Sequence, residues 1–327
     1  MEKPGLSTLP PWQERILVQA REALAGGRMG HAMILSGPAM LGKRTVAERL
    51  ARHLLGAAGE ARARHLLDAG THPDLHVVGL VPNKEGTRLR TEIVIEQIRE
   101  LSGQLSLTPQ YGDIQVAIVE PADALNRAAC NALLKTLEEP QPGRYLWLVT
   151  AHPMRLPATI RSRCQRLEFR LPPRAEAEQW LLGQGHDAAA VSEALDAARG
   201  HPGLADAWLQ GGGMVLRREV GADLGKLARG DASVIETARS WTADEHADLR
   251  LRHAADLVLA KARGLTDPPR TRKLAEWFTE ANRTRELLRT TVRADLAVAE
   301  LLLAWRDQYA AANEPTTATR TNAGGRR

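Results

Sequence analysis

A chain of 327 residues is longer than one ordinary domain and predicts two or three. Its 43% hydrophobic and 25% charged residues match a soluble globular composition, and no apolar run approaches the ~18–20 residues that span a bilayer, which excludes a helical membrane protein. Two cysteines, Cys130 and Cys164, exclude a disulfide framework and a four-thiolate zinc site; the net charge of +5 favours an anionic partner weakly, since no block of five like charges occurs.

In chain order, Met1-Glu2-Lys3-Pro4 lacks the basic-then-apolar pattern of a secretory leader, so a reducing cytoplasm is the expected compartment. From Trp12 to about Phe169 helix and strand patterns alternate. Strands are expected at Met33–Ser36, Leu75–Val78, Gln115–Glu120, Tyr145–Thr150 and Gln165–Phe169. Between them, Val94, Ile98, Leu101 and Leu105 share one helical face, as do Ala129, Leu133, Leu134 and Leu137, and Pro140 and Pro142 stop the second helix. Strands separated by helices predict an α/β fold with a parallel sheet covered on both faces. Aromatic residues are few, so Leu, Ala and Val should form most of the cores.

Leu171-Pro172-Pro173 marks a boundary, and strand signals vanish beyond it. Residues 176–209 read as a small helical unit with a turn at Gly200-His201-Pro202-Gly203. Gly211-Gly212-Gly213 reads as a flexible hinge. Long amphipathic helices should follow, with Leu274, Trp277, Phe278 and Ala281 on one stripe and Leu288, Val292, Leu296, Ala299 and Leu303 on another. The end, rich in Thr, Gly and Arg without apolar periodicity, reads as a disordered tail. The expected division is 1–169, 170–210, 211–312 and 313–327.

The chemistry-bearing motif is Gly37-Pro38-Ala39-Met40-Leu41-Gly42-Lys43, a phosphate loop between the strand Ala32–Leu35 and a helix expected from about Val46 to Leu55. Such a loop cradles phosphates on backbone N–H groups, its Lys reaches the terminal phosphates, and the next hydroxyl holds Mg²⁺. Here the next residue is Arg44, which cannot ligate a cation, and one helical step turns the Thr45 hydroxyl ~100° away. Downstream, Val116–Val119 ends in Glu120-Pro121. Glu120 is a candidate for the carboxylate that holds the metal, or simply a solvated strand end. Pro121 stands where a water-activating base would be and has no titratable group.

The segments "HAMILSGPAMLGK", "AGTHPDLHVV", "ALNRAACNALLKTLEEPQ" and "LVTAHPMRLPATIRSRCQRLEF" resemble the AAA+ clamp-loader family of bacterial replicative DNA polymerase III, over most of residues 12–169. The damaged loop, Pro121 and the chain length fit a non-hydrolysing stator better than the ATP-hydrolysing motor subunits. The resemblance implies an AAA+ P-loop domain, a helical lid domain and an all-α collar domain for oligomerisation. It further implies that Arg163, in the Ser162-Arg163-Cys164 triplet, is an arginine finger acting in trans on ATP held by a neighbouring subunit, and that Thr150 falls at the first sensor position. The second sensor arginine is missing, since the matching position is Gly203. The zinc-module positions are Ala58, Ala61 and Arg64, so no metal is expected, and Cys130 and Cys164 are taken as ordinary buried thiols.

The degenerate nucleotide site consists of Gly37, Gly42, Lys43 and Thr45, with Glu120 as the degenerate metal-side carboxylate. No cofactor is expected, although the surviving glycines and Lys43 leave weak ATP binding open. The implied partners are the motor subunits (gamma/tau), the delta subunit, the sliding clamp and primer–template DNA, with no membrane. A DNA polymerase holoenzyme subunit without its own ATPase is the leading reading; an active or nucleotide-binding AAA+ ATPase subunit is the alternative.

Overall fold

The computed structural model describes residues 9–56, 61–83, 85–263, 266–288 and 290–310. In order, the elements are α1 Pro11–Ala25, β1 Ala32–Ser36, α2 Lys43–Gly56, α3 Ala61–Ala69, β2 Leu75–Val78, α4 Ile95–Leu105, β3 Gln115–Val119, α5 Arg127–Glu138, β4 Arg144–Thr150, α6 Ala158–Arg161, β5 Gln165–Glu168 and α7 Arg174–Gly183. They continue with α8 Ala188–Ala197, α9 Pro202–Gln210, α10 Gly213–Arg229, α11 Val234–Trp241, α12 Ala247–Arg263, α13 Pro268–Leu287 and α14 Ala294–Ala310. The segment 313–327, expected to be disordered, and the zinc-module position Ala58 lie outside the described residues.

The five strands form one sheet in the order β2-β3-β4-β1-β5, and every neighbouring pair is parallel. Successive strand side chains alternate between faces, which sorts the core into two layers. Met33, Leu35, Val116, Ile118, Trp147 and Val149 pack with Leu17 of α1 and with Val46, Leu50 and Leu54 of α2. Ile34, Ala117, Val119, Leu146 and Leu148 pack on the other side with Ile98, Leu101 and Leu105 of α4 and with Ala129, Leu133 and Leu137 of α5. Three members of each expected stripe are buried as the spacing predicts, whereas Val94 precedes α4 and, like Leu134 of α5, is half-buried. Asn126 starts α5 by accepting a hydrogen bond from Ala129 N at 2.9 Å, satisfying a donor that the first turn leaves over. Within "AGTHPDLHVV", the buried Asp74 carboxylate accepts from Gln110 N at 2.9 Å and Tyr111 N at 2.8 Å and so ties down the approach to β3.

By packing, the chain forms two compact units: one runs to Gly185 and includes Gly200–Leu204, and the other comprises His186–Arg199 and everything from Ala205. The second unit is helical. Its core joins Val220 and Leu224 of α10, Trp241 of α11, Leu251 and Ala255 of α12, Trp277 of α13 and Trp305 of α14. The indole N–H groups of this core are satisfied locally: Trp241 donates to Asp223, Trp277 to Leu301 O, and Trp305 to Leu224 O.

Two expectations fail here. Gly211–Gly213 is a tight turn, with Gly211 N on Ala207 O at 2.9 Å, Gly212 at φ 72° and Gly213 already buried at the start of α10. A three-glycine run permits a hinge, yet here its positive-φ residue turns α9 directly into α10. The stripe Leu288, Val292, Leu296, Ala299, Leu303 is not one buried face either. Val292 lies between α13 and α14, and Val292, Leu296 and Leu303 are exposed. The buried face of α14 carries Val298, Leu301, Leu302 and Trp305. Apolar residues nearly encircle this helix, so spacing admits more than one stripe, and packing selects the one bearing the indole.

Candidate functional site

In an open parallel sheet, ligands bind outside the carboxyl ends of the strands, where the strand order reverses. That place lies beside β1 and β4, where the phosphate loop leaves β1. A cleft of about 370 Å³ sits there, lined among others by Gly42, Lys43, Arg44, Glu120, Asp123 and Thr150. Glu120 follows β3 and Thr150 ends β4, so the topology gathers residues far apart in sequence. Gly37 and Thr45 do not line the cleft, and Thr45 is exposed on α2.

The cations of this cleft are committed to the chain itself. Lys43 is buried, and its Nζ donates to Gly37 O at 2.8 Å and Pro38 O at 2.6 Å. Burial pushes its ammonium below the usual lysine range, and the attraction of Glu120 and Asp123 offsets this only in part. Arg44 donates to Glu48 at 2.7 Å and to Glu120 at 3.2 Å. A divalent ion on Glu120 would meet this guanidinium, so the residues present do not fit magnesium. Among the described residues no group of three or more His, Cys, Asp and Glu is arranged to hold a metal.

Further ties hold the loop itself. Trp12 Nε1 of α1 donates to Leu41 O at 3.3 Å. The ring of His201 reaches Ala39 O at 2.8 Å through Nε2, while Nδ1 accepts from Leu204 N at 3.2 Å. An accepting Nδ1 leaves the proton on Nε2, so His201 caps α9 with one nitrogen and donates to the loop with the other. Pro202 suits the first position of α9, where no N–H is required. Gly203 lies so close to Met40 that a Cβ would fall 2.0 Å from the Met40 carbonyl oxygen. Gly37 is equally constrained, since a Cβ there would fall 2.2 Å from Phe169 O. Gly203, which the resemblance matches to a second sensor position, is thus closed to any side chain. Sequence reasoning noted this missing arginine but not the roles of His201 and Trp12. The Gly-His-Pro-Gly string was the available signal.

Thr150 is buried and donates to Asp123 Oδ1 at 2.5 Å, while accepting from His152 N at 2.9 Å. Its hydroxyl is engaged in joining two loops at the strand ends. Arg163 lies at the opposite edge of the sheet, before the first residue of β5. Ile160 and Cys164 are anchored in the core on either side of it. Its Nη1 donates to Thr159 O at 2.9 Å and its Nη2 meets Glu138 Oε1 at 2.8 Å, the two side chains being 38% and 49% exposed. Glu138 ends the Leu-Leu-Lys-Thr-Leu-Glu-Glu-Pro helix, so this ion pair joins the two most specific motifs of the chain. Exposed pairs of this kind contribute only ~0.2–1 kcal/mol. The neighbouring Cys164 thiol is pushed up to about 11 by burial, and that of Cys130 is also raised, so both are protonated, inert core groups.

A parallel sheet with helices on both faces, a glycine-rich loop after β1 and an acidic residue after β3, one strand beyond β4, define a P-loop domain, here with a cleft whose cations are internally paired. The profile of the family described as "DNA polymerase III, delta subunit" matches residues 12–173. The chain is 37% identical to DNA polymerase III subunit delta' of Pseudomonas aeruginosa over 247 residues, 72% of each chain. It is 33% identical to the subunit of the same name from Escherichia coli K12 over 211 residues, 62% of this chain and 61% of that one. The Escherichia coli tau subunit matches 49% of this chain, and 24% of its own length, at 32% identity. The chain belongs to the DNA polymerase III delta' subunit family, whose members are clamp-loader components. Among the described residues no helix is long and apolar enough to cross a membrane.

Proposed function

We propose that the chain is the stator of a cytoplasmic clamp loader. It assembles with gamma/tau motor subunits and a delta subunit, helps place the sliding clamp on primer–template DNA, and hydrolyses no ATP itself. The helices from 211 to 312 act as the collar that holds it in the ring. Arg163 is its catalytic contribution, an arginine directed at ATP held by the adjoining subunit, where it stabilises charge developing on the transferred phosphoryl group.

The observation that carries this reading is the separation of the two charge centres. The phosphate loop leaves the carboxyl end of β1, whereas Arg163 precedes β5 at the amino edge of the same parallel sheet. Four strand residues alone span roughly 13 Å, a separation that keeps Arg163 from its own loop and supports a role toward another chain. The weak tether to Glu138 supports the same role, because a partner's phosphate can displace an exposed carboxylate. Arg44 against Glu120, together with Pro121, supports the absence of turnover. In a complex reconstituted with motor and delta subunits, Arg163→Ala should abolish most DNA-stimulated phosphate release at the adjoining site. Unchanged release would refute the finger. Steady phosphate release by the purified chain, abolished by Lys43→Ala, would refute the stator reading and restore the ATPase alternative.

A further inference from the structure

The helical unit contains a cationic cluster that none of the foregoing uses. The end of α8, α10 and α12 bring together Arg199, Arg217 and Arg252. Asp256 is the strongest carboxylate attraction on both Arg217 and Arg252, yet it is already ion-paired with Arg199. The nearby Glu193 is shared with Arg218 at 3.5 Å. Arg252 lies over the Trp208 ring, its guanidinium carbon 5.3 Å from the centroid, a contact that supplies no counter-charge. Nη1 of Arg217 is buried with no hydrogen-bond partner. With Arg218 on Glu193 and Arg285 on Asp248 included, five guanidinium groups face three carboxylates, a surplus of about two positive charges in a partly desolvated place.

Two further observations point the same way. Arg199 adopts φ 54°, the left-handed conformation that favours glycine at a helix end, and its side chain is thereby fixed on Asp256. The fully buried His253 ring, packed edge-on to Trp208 at 4.6 Å, is pushed down to about 4 by burial and then by Arg217 and Arg252. The positive field of the cluster is thus not cancelled from within.

We propose that Arg199, Arg217 and Arg252 form a binding site for a dianionic phosphate group. Planar guanidinium forks match phosphate oxygens two at a time, and the doubly charged anion balances the surplus of two. Two sources share this chemistry, free phosphate and the terminal phosphate of a nucleic-acid strand.

Calorimetric titration of the full chain with inorganic phosphate should find one site per chain. Binding should weaken at least tenfold in Arg217→Gln and in Arg252→Gln, recover in part in Arg217→Lys, and persist in Lys43→Met. No binding, binding indifferent to both glutamine variants, or binding lost in Lys43→Met would overturn the proposal, the last because it would place the anion in the phosphate-loop cleft. Either glutamine variant suffices if the other fails to fold. A second arm compares a short oligonucleotide with and without a 5′-phosphate. Tenfold tighter binding of the phosphorylated strand assigns the site to a strand end, and no binding of either leaves free phosphate as the ligand. Equal binding of both, lost in Arg217→Gln, would mean a backbone diester and would overturn the dianion assignment.

Discussion

The two edges of the parallel sheet hold their cations in opposite ways. At the carboxyl edge, Lys43 is buried and bonded to the carbonyls of its own loop, and Arg44 bridges Glu48 and Glu120. Trp12 and His201 hold two further carbonyls of that loop. At the amino edge, Arg163 is more than one-third exposed and leans on a half-exposed Glu138. The first arrangement commits charge to holding a shape; the second leaves a charge accessible at the surface. A phosphate loop can therefore keep its glycines and its lysine for reasons of packing, because a side chain at Gly37 would meet the Phe169 carbonyl and one at Gly42 the Gln13 side chain.

That contrast is open to direct attack. The largest effect should come from Arg163→Ala, which in the reconstituted complex should lower turnover at the adjoining site by ~10³-fold or more. The same substitution should leave the unfolding midpoint of the isolated chain almost unmoved. Gly203→Ala should do the reverse. Its methyl group collides with the Met40 carbonyl, so urea denaturation should report a loss of about 1–3 kcal/mol, while Arg163 and its surroundings remain intact.

Lys43→Met tests whether the loop lysine has any chemical duty, and turnover of the assembled complex should not change. The variant also has a pH signature. Burial holds the Lys43 ammonium below its usual value of 10.5, so between the lowered value and 10.5 the unfolded chain binds more protons. The lysine's contribution to stability therefore rises with pH across that window, and the rise should vanish in the variant. The smallest effect belongs to Glu138→Gln, which removes a surface ion pair worth at most ~1 kcal/mol. Stability measurements should scarcely register it, and turnover should stay near the unsubstituted level. A large loss of turnover would mean that Glu138 positions Arg163, sharpening the picture of a loosely held finger into one of an aimed one.

Much of this molecule is legible in the order of its residues. The five strands, the faces of α4 and α5 and the phosphate loop follow from local periodicity and from residue types that tolerate only certain backbone shapes. That Arg44 cannot ligate a cation and Pro121 cannot act as a base is legible for the same reason: what they lack is a property of the residue itself. Other features have no local signature. The buried face of α14 has no local signature because a helix apolar on nearly every side leaves the choice to its neighbours. Gly211–Gly213 permits a hinge or a tight turn, and only the packing of α9 and α10 selects the turn. The grip of His201 on Ala39, the pairing of Arg163 with Glu138 and the gathering of Arg199, Arg217 and Arg252 join residues that sequence distance keeps apart. Local chemistry is written residue by residue, whereas the partner of a charge is settled only when the chain folds and brings distant groups within a few ångströms.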